Sequence, residues 1–320
     1  MRNRMQALLE GLDAAELLGL AQRCAGALDE PLSAYRALAT FVAALAAVAD
    51  GADRREWSLL RSGLIAHPLM AKLRRDPLVA EAWRVAHGAR SPEMALGDLM
   101  LRHPEADRHL AAADRIGRNL YQASSALPAA EAIRDRRRLI ARLADAIAEQ
   151  RGGIEVLAIG PGFMREAEAS VAGPAGAIRR WVGLVAEAES AAEIGRSLPV
   201  PWVAPIRRNT LASLLHPELL GRFDLIYVKA LEGVPDMLIP PLVRSAFARL
   251  KPGGRLLLTC RSPGAPDAAF WSLVADGALH LRDEATLARF AGAVAPEHLV
   301  SRRSFGGMNE AIAYLDLVRA

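Results

Sequence analysis

Two glycines, Gly160 and Gly162, directly follow a run of apolar, strand-forming residues in the stretch IEVLAIGPGFMREAE, Ile154 to Glu168. A glycine leaves no side chain between the backbone and a ligand, and the helix-forming residues after the turn place a helix N-terminus beside it. The stretch is therefore typical of a strand-to-helix turn that holds a nucleotide-type cofactor. The alternative is a tight turn without a ligand.

The residues after the glycines limit which cofactor the turn suits. Met164 and Arg165 stand where a dinucleotide-binding fingerprint has further glycines, so a pyrophosphate cannot approach the backbone closely. NAD is disfavoured for this reason. A cofactor with ribose, adenine and a charged tail but no phosphates tolerates the shorter turn, which points to S-adenosylmethionine (SAM).

The surrounding elements predict an α/β fold. Through about residue 115 the apolar residues recur at helical spacing, whereas from Ile154 short β-rich runs alternate with helical segments. The spacing between the runs fits strand-helix-strand crossovers, which predicts a Rossmann-like, doubly wound, mostly parallel sheet with helices on both faces. We therefore expect a helical cap domain over residues 1–115 and a Rossmann-like domain over 116–320, which begins with a lead-in helix from about Glu131 to Gln150.

Three stretches of this second domain resemble the class I SAM-dependent methyltransferases. VLAIGPGFMRE is similar to their glycine-rich first motif, FDLIYVKAL (Phe223 to Leu231) to their fourth strand, and FARLKPGGRLLLT (Phe247 to Thr259) to the helix, turn and strand that follow. The resemblance implies SAM as cosubstrate and methyl transfer to a small-molecule acceptor. The upstream segments HPLMAKLRRDPLVAEAW and LPAAEAIRDRRRLIARL are similar to the lead-in of methyltransferases associated with 3-hydroxypalmitate methyl ester formation.

A second resemblance implies different chemistry. FDLIYVKALEGV, TCRSPGA and the C-terminal NEAIAYLDLVR are similar to stretches of nicotianamine synthases, which use the aminobutyrate arm of SAM. The sulfonium activates three carbons, so the fold alone does not choose among them. The alternative is thus release of methylthioadenosine, by transfer to an amine or by cyclisation of SAM to azetidine-2-carboxylate. A third possibility is a non-enzymatic protein that binds a partner through its helical domain.

The methyltransferase resemblance implies roles for residues at the ends of the predicted strands. Gly160 and Gly162 would approach the amino-acid end of SAM. An acidic residue after the second strand would hold the ribose hydroxyls, which indicates Glu187, with Glu189 as the alternative. Asn209, after the third strand, would contact the adenine amine.

Further candidates follow the fourth strand or precede the lead-in helix. Lys229 and Ala230 would lie near SAM through their backbone. Glu232 is a candidate catalytic residue, because a carboxylate there can accept a proton from a nucleophile or hold an ammonium group. Tyr121 is a second candidate, whose ring can stabilise a sulfonium and whose hydroxyl can orient an amine or a carboxylate.

Composition restricts the remaining function classes. The 320 residues are 52% hydrophobic with a net charge of +4, and aromatic residues, at 5%, are not interleaved with a basic run, so we expect no nucleic-acid partner. We interpret the cluster Arg134–Arg138 as a solvated helix face.

The uncharged run Ala37–Ala49 is shorter than a membrane span and suits a buried helix, so we expect a cytoplasmic protein without a membrane partner. Cys24 and Cys260 are too few for a disulfide framework, and no histidine pair has metal-ligand spacing, so we expect no metal.

Overall fold

A computed structural model describes residues 13–87, 93–160, 162–186, 188–207, 220–229, 231–275 and 280–320. The chain divides into two compact units. Unit 1 comprises the described residues of Met1–Glu131 and Ala265–Ala278, and unit 2 those of Ala132–Gly264 and Leu279–Ala320. Each unit is described separately below.

In chain order the helices and strands have these bounds: α1 (Ala14–Ala27), α2 (Pro31–Gly51), α3 (Arg54–Ala66), α4 (Pro68–Leu73), α5 (Pro77–Ala86), α6 (Glu93–Leu101), α7 (Asp107–Ala112), α8 (Arg115–Ser124), α9 (Pro128–Arg151), β1 (Ile154–Ile159), α10 (Arg165–Glu168), β2 (Ile178–Val185), α11 (Ala188–Ser197), β3 (Val203–Arg207), β4 (Phe223–Val228), α12 (Ile239–Ala248), β5 (Leu250–Arg261), α13 (Ala268–Val274), α14 (Glu284–Phe290), β6 (Leu299–Gly306) and β7 (Ile312–Arg319).

Unit 1 is helical throughout its described residues, and local capping explains several of its helix starts. Asp13 and Asp53 each accept a hydrogen bond from the backbone of the first helical turn, while the glutamate three residues later bonds back to the cap. Asp76 caps α5, which begins at Pro77, in the same way through Leu78 N at 2.8 Å. These caps satisfy backbone N–H groups that a helix start would otherwise leave unpaired.

Helix α2 is the longest apolar helix of unit 1. Its part Ser33–Gly51 is, among the described residues, long and apolar enough to cross a membrane by length and composition. The run Ala37–Ala49 had suggested a shorter helix, but the helix continues past Arg36 and Asp50, since charged residues near its ends do not interrupt it. The buried side chains of Leu38, Phe41 and other residues show that part of this helix belongs to the core of unit 1.

The division between the units falls within α9 rather than at the predicted residue 115. Helix α8 packs against α2 and therefore belongs to unit 1, and α13 packs against α2 and α5 although it follows β5 in sequence. The carboxylate of Asp267, just before α13, accepts a hydrogen bond from Ala129 N at 2.9 Å. Contacts between residues distant in sequence decide this division, so helical periodicity alone did not reveal it.

Unit 2 is built on a seven-stranded sheet in the order β3-β2-β1-β4-β5-β7-β6. Strands β1 to β5 pair in parallel with one another, and β7 is antiparallel to both β5 and β6. The fold is therefore α/β and Rossmann-like, and the prediction of a mostly parallel, doubly wound sheet is confirmed. Strand β6 was not predicted, because its side chains are mostly exposed and polar and lack the apolar alternation of a half-buried strand.

One face of the sheet carries the apolar core of unit 2. Side chains of this face pack with those of α12 and α14, among them Leu157, Ile159, Val182, Leu184, Ile226, Val228, Leu256, Leu258, Leu315, Leu242, Val243 and Leu287. Since side chains alternate along a strand, the residues between these positions point to the opposite face. That opposite face carries the polar groups of the candidate site.

Candidate functional site

The turn between β1 and α10 has an unusual backbone. Gly160, Gly162 and Met164 all have positive φ, of 63°, 55° and 56°. A Cβ at position 160 would lie 2.9 Å from the carbonyl oxygen of Lys229, whose own N–H donates to Ile159 O at 3.0 Å. Gly160 is therefore required for the close approach of the segments that leave β1 and β4.

Gly162 has a different environment. Among the described residues, a Cβ at position 162 would meet only Lys229 Nζ within 4 Å, at 3.9 Å, so on this side the residue faces open space bordered by an ammonium group. Strand β1 lies between β2 and β4, where the strand order reverses. In doubly wound folds ligands bind outside the carboxyl ends of the strands at such a point. The turn thus has both the position and the open backbone of a ligand site.

Polar side chains line the sheet face beside this turn. Tyr227 lies between Ile226 and Val228 of the apolar face and therefore points the other way, and Thr259 and Tyr314, which are register partners on β5 and β7, share its face. Trp181 on β2 donates from Nε1 to the Tyr227 hydroxyl at 3.1 Å. The row of polar groups therefore runs across the sheet from β2 to β7.

An ion pair joins this row to the turn. Lys229 Nζ donates to Oε1 of Glu166, a residue of α10, and the side chains are only 11% and 4% exposed. The second carboxylate oxygen, Glu166 Oε2, is buried and has no hydrogen-bond partner among the described residues. A buried polar atom of this kind usually marks a place where a ligand, ion or water binds.

Burial and neighbouring charges shift the protonation equilibria here. Burial, and secondarily the positive charge of Arg136, lowers the pKa of Lys229, although the Glu166 carboxylate opposes this shift. Burial also raises the pKa of Tyr227 well above its usual value, with a further contribution from the negative charge of Glu166. The Tyr227 hydroxyl is consequently neutral, and it lies next to the Glu166 carboxylate.

Arg136 extends from α9 over the same face. Its Nη1 donates to Thr259 Oγ1 at 3.4 Å, a long hydrogen bond, and Thr259 Oγ1 donates to Val228 O at 3.2 Å. Burial raises the pKa of Tyr314 to about 12, against the effect of the Arg136 charge. Among the described residues the Arg136 guanidinium makes this one long hydrogen bond, so its other N–H donors are available for an anionic group.

The interpretation of Arg134–Arg138 as a solvated helix face is therefore corrected in part. Arg138 is exposed and pairs with Asp135. Arg137, by contrast, donates from Nε to Arg165 O at 2.7 Å and pairs with Glu168 at 3.5 Å. Helix α9 thus directs Arg136 and Arg137 toward other residues of unit 2 and Arg138 toward solvent, because 3.6 residues make one turn.

Glu232 lies in a short 3-10 turn, Leu231–Gly233, after β4. Its Oε2 is buried without a hydrogen-bond partner among the described residues. Burial, followed by the charge of Glu232, raises the pKa of Cys260 to about 11, so this thiol is not a nucleophile at neutral pH. Arg282 fixes the turn by donating to Leu231 O at 2.7 Å and to Val234 O at 2.5 Å.

Tyr121 lies inside unit 1. Its side chain is 2% exposed, and its hydroxyl donates to Leu99 O at 2.8 Å. The donor that was expected to orient a substrate is therefore occupied by a main-chain carbonyl. Its catalytic role stays a prediction, and the contacts within unit 1 give it a structural role.

Three of the predicted site residues, Glu187, Asn209 and Ala230, lie outside the described residues. Glu189 is exposed in the first turn of α11. Of the predicted residues, the structure brings together Gly160, Gly162 and Lys229, the last through its side chain as well as its backbone.

Sequence reasoning missed Glu166, Arg136, Tyr227, Thr259 and Tyr314. The sequence did contain a signal for residues on strands. Tyr227 and Lys229 alternate with the apolar residues of FDLIYV near the end of the strand, so they point to the opposite face of the sheet. Glu166 and Arg136 lie on helices, and no local pattern distinguishes them from solvated charges.

No protein-family model matches the chain, and no curated protein sequence matches it. Several solved structures are similar in fold. A possible exported protein from Bordetella parapertussis is 19% identical, with a TM-score of 0.51 over 78% of this chain and 96% of that one. An O-methyltransferase family protein from Burkholderia thailandensis is 16% identical, with a TM-score of 0.44 over 67% and 63% of the two chains. The N-methyltransferase NodS from Bradyrhizobium japonicum, in complex with S-adenosylhomocysteine, is 16% identical, with a TM-score of 0.42 over 61% and 89%. At 19% identity, the similarity to the protein from Bordetella parapertussis concerns the fold alone.

Proposed function

We propose that unit 2 binds SAM at the turn after β1 and transfers its methyl group to a small-molecule acceptor. The observation that carries this proposal is the open glycine turn at the point of strand-order reversal, where Gly162 borders the Lys229 ammonium. The turn has Met164 and Arg165 in place of further glycines, which suits a cofactor without a pyrophosphate.

The carboxyl ends of neighbouring strands supply the remaining contacts of this proposal. Glu187, or Glu189 in its place, would hold the ribose hydroxyls after β2, and Asn209 would bind the adenine amine after β3. The backbone at Lys229 and Ala230 would lie beside the cofactor after β4. These assignments are implied by the methyltransferase resemblance, and the order of the strands is compatible with them, since parallel strands end at one edge of the sheet.

SAM supplies a carbon activated by the adjacent sulfonium, so the protein has to position an acceptor and remove its proton. A nucleophile held in line with the carbon–sulfur bond needs no further activation of the leaving group. Glu232 follows β4 and has a carboxylate oxygen for which the described residues supply no partner, which supports it as the group that accepts the proton.

A second candidate is transfer of the aminobutyrate arm of SAM, or its cyclisation to azetidine-2-carboxylate, with release of methylthioadenosine. The observation that favours it is the presence of two carboxylates, Glu166 and Glu232, that each have a buried oxygen with no hydrogen-bond partner in the part of the chain that the structure describes. An amine nucleophile must be bound and deprotonated, and carboxylates serve both steps.

The two chemistries differ in their adenosine product. The full-length protein is incubated with SAM, alone and with hydroxyl, carboxylate and amine acceptors, and the products are separated by chromatography. We expect S-adenosylhomocysteine with an acceptor present. Methylthioadenosine would establish the second candidate, and its formation without an acceptor would identify cyclisation. Absence of SAM binding by calorimetry would reject both.

A further inference from the structure

The ion pair between Lys229 and Glu166 places opposite charges beside the open turn. We propose that this pair recognises the zwitterionic α-amino-acid group of a ligand, with Glu166 Oε2 binding its ammonium and Lys229 its carboxylate. Two molecules carry this group, the methionine tail of SAM and an amino-acid acceptor. The assignment to SAM rests on the proposed function, whereas the assignment to an acceptor does not need SAM at this position.

The unpartnered oxygen indicates the ammonium. Glu166 is buried, with 3% of its surface exposed, and its Oε1 is bound by Lys229 while Oε2 has no hydrogen-bond partner among the described residues. A buried carboxylate oxygen requires a donor, and a cationic donor interacts most strongly with it. The neighbouring Tyr227 hydroxyl accepts a bond from Trp181 and is also hydrogen-bonded with the Glu166 carboxylate. A ligand ammonium would give Oε2 a charged donor.

The surrounding cations indicate the carboxylate. Lys229 has three N–H donors, and its hydrogen bond goes to the single carboxylate Glu166. Arg136 is a second cation close enough to affect Lys229, and its own hydrogen bond to Thr259 is long. Arg137 also affects Lys229 but pairs with Glu168. Lys229 and Arg136 are therefore accompanied by the single carboxylate Glu166, which leaves one positive charge for an anionic group of the ligand.

The position of the pair connects it to the turn. Lys229 Nζ is 3.9 Å from the place that a Cβ would occupy at Gly162. Absence of a side chain at this residue gives a ligand access to the ammonium. The zwitterion would therefore lie between the glycine turn and the polar face of the sheet.

Calorimetric titration of the full-length protein tests this inference with three kinds of probe. S-adenosylhomocysteine carries both the adenosine and the amino-acid tail, methylthioadenosine carries the adenosine without the tail, and the standard L-amino acids, tested singly, carry the zwitterion alone. The variants are Lys229→Met and the double variant Lys229→Met/Glu166→Gln, which leaves no unpaired buried charge. Lys251→Met is the matched control, because Lys251 is also ion-paired, with Asp224 and Glu155, but lies at the start of β5, at the opposite edge of the sheet from Lys229.

If the pair binds the SAM tail, both variants lose at least tenfold in affinity for S-adenosylhomocysteine and keep that for methylthioadenosine. If it binds an acceptor, both nucleosides bind the variants normally and binding of the amino-acid probe is lost. Equal binding of every probe by the variants and the wild type would overturn the inference. Failure of the wild type to bind either nucleoside would reject the proposed function, and the amino-acid probes would then decide the inference, with no binding counting against it.

Discussion

Lys229 and Glu166, 63 residues apart in sequence, form a buried ion pair that joins the end of β4 to the helix after the glycine turn. Loss of one partner leaves the other charge buried and uncompensated, which typically costs about 3–5 kcal/mol, whereas removal of both costs much less. We expect Glu166→Gln to destabilise the protein more than the double variant Lys229→Met/Glu166→Gln. Urea unfolding followed by circular dichroism measures this difference, and additive effects of the two substitutions would show that the pair is not coupled.

The open space at Gly162 predicts a selective loss of ligand binding. A ligand that binds only the native state at 100 times its dissociation constant stabilises it by about 2.7 kcal/mol, so S-adenosylhomocysteine should raise the unfolding temperature of the wild type. Gly162→Val should remove this shift, because the side chain fills the space beside Lys229.

Gly176→Val is the control for backbone strain. Gly176 also has positive φ, of 74°, but a Cβ there would meet none of the described residues within 4 Å, and Gly176 lies before β2, away from the turn. We expect this variant to be destabilised and to keep the ligand-induced shift. A folded Gly162→Val variant with an undiminished shift would mean that the ligand binds elsewhere.

Glu232→Gln tests the proposed proton acceptor. The amide keeps the shape of the side chain but cannot take a proton, so turnover should fall by about 10²–10⁴-fold while the affinity for SAM changes little. Steady-state rates and calorimetry on the same preparation separate the two quantities. Asp236→Asn, a change in an exposed carboxylate three residues beyond the same 3-10 turn, provides a comparison for disturbance of the turn, because Asp236 pairs with Arg282. Unchanged turnover in Glu232→Gln would remove this residue from the mechanism.

Tyr121→Phe deletes a buried hydroxyl that donates to Leu99 O. Loss of this hydrogen bond should lower the free energy of unfolding by about 1–3 kcal/mol, because the carbonyl is left without that donor. Thermal unfolding of the variant measures this change. If turnover falls at an unchanged unfolding temperature, the tyrosine has the catalytic role that its sequence position suggested.

Asp76 predicts a pH dependence of stability. It is buried in unit 1, and burial raises its pKa to about 7 although hydrogen bonds with Ser124 and the α5 backbone oppose this. The folded state therefore binds the proton more tightly than the unfolded state, in which an aspartate titrates near 3.8. The contribution of this group to the free energy of unfolding is therefore highest below about pH 4. It falls by roughly 4 kcal/mol as the pH rises toward 7 and is constant above that pH.

Asp76→Asn should remove this dependence, since asparagine keeps the helix cap without titrating. The unfolding temperatures of the wild type and the variant, compared from pH 4 to pH 8, should diverge as the pH rises, with the variant more stable at pH 8. Parallel profiles would show that Asp76 does not titrate in this range.

The sequence by itself determined the class of the fold. Alternation of β-rich runs such as FDLIYV with helical segments predicted the parallel strands, and the paired glycines of IGPG located the turn after β1. These features are local, because strand and helix periodicity and the backbone freedom of glycine act over a few residues. The sequence pattern did not predict strand β6, because an exposed edge strand does not need alternating apolar residues.

Only the tertiary structure decided which charges belong to the candidate site. Glu166 and Arg136 have the local sequence context of solvated helix residues, and their burial arises from packing of α9 and α10 against one face of the sheet. The same holds for α13, which follows β5 in sequence but belongs to unit 1. Such placements depend on contacts between residues far apart in the chain, whose energies no short pattern encodes, so the sequence identified the turn but not the ion pair beside it.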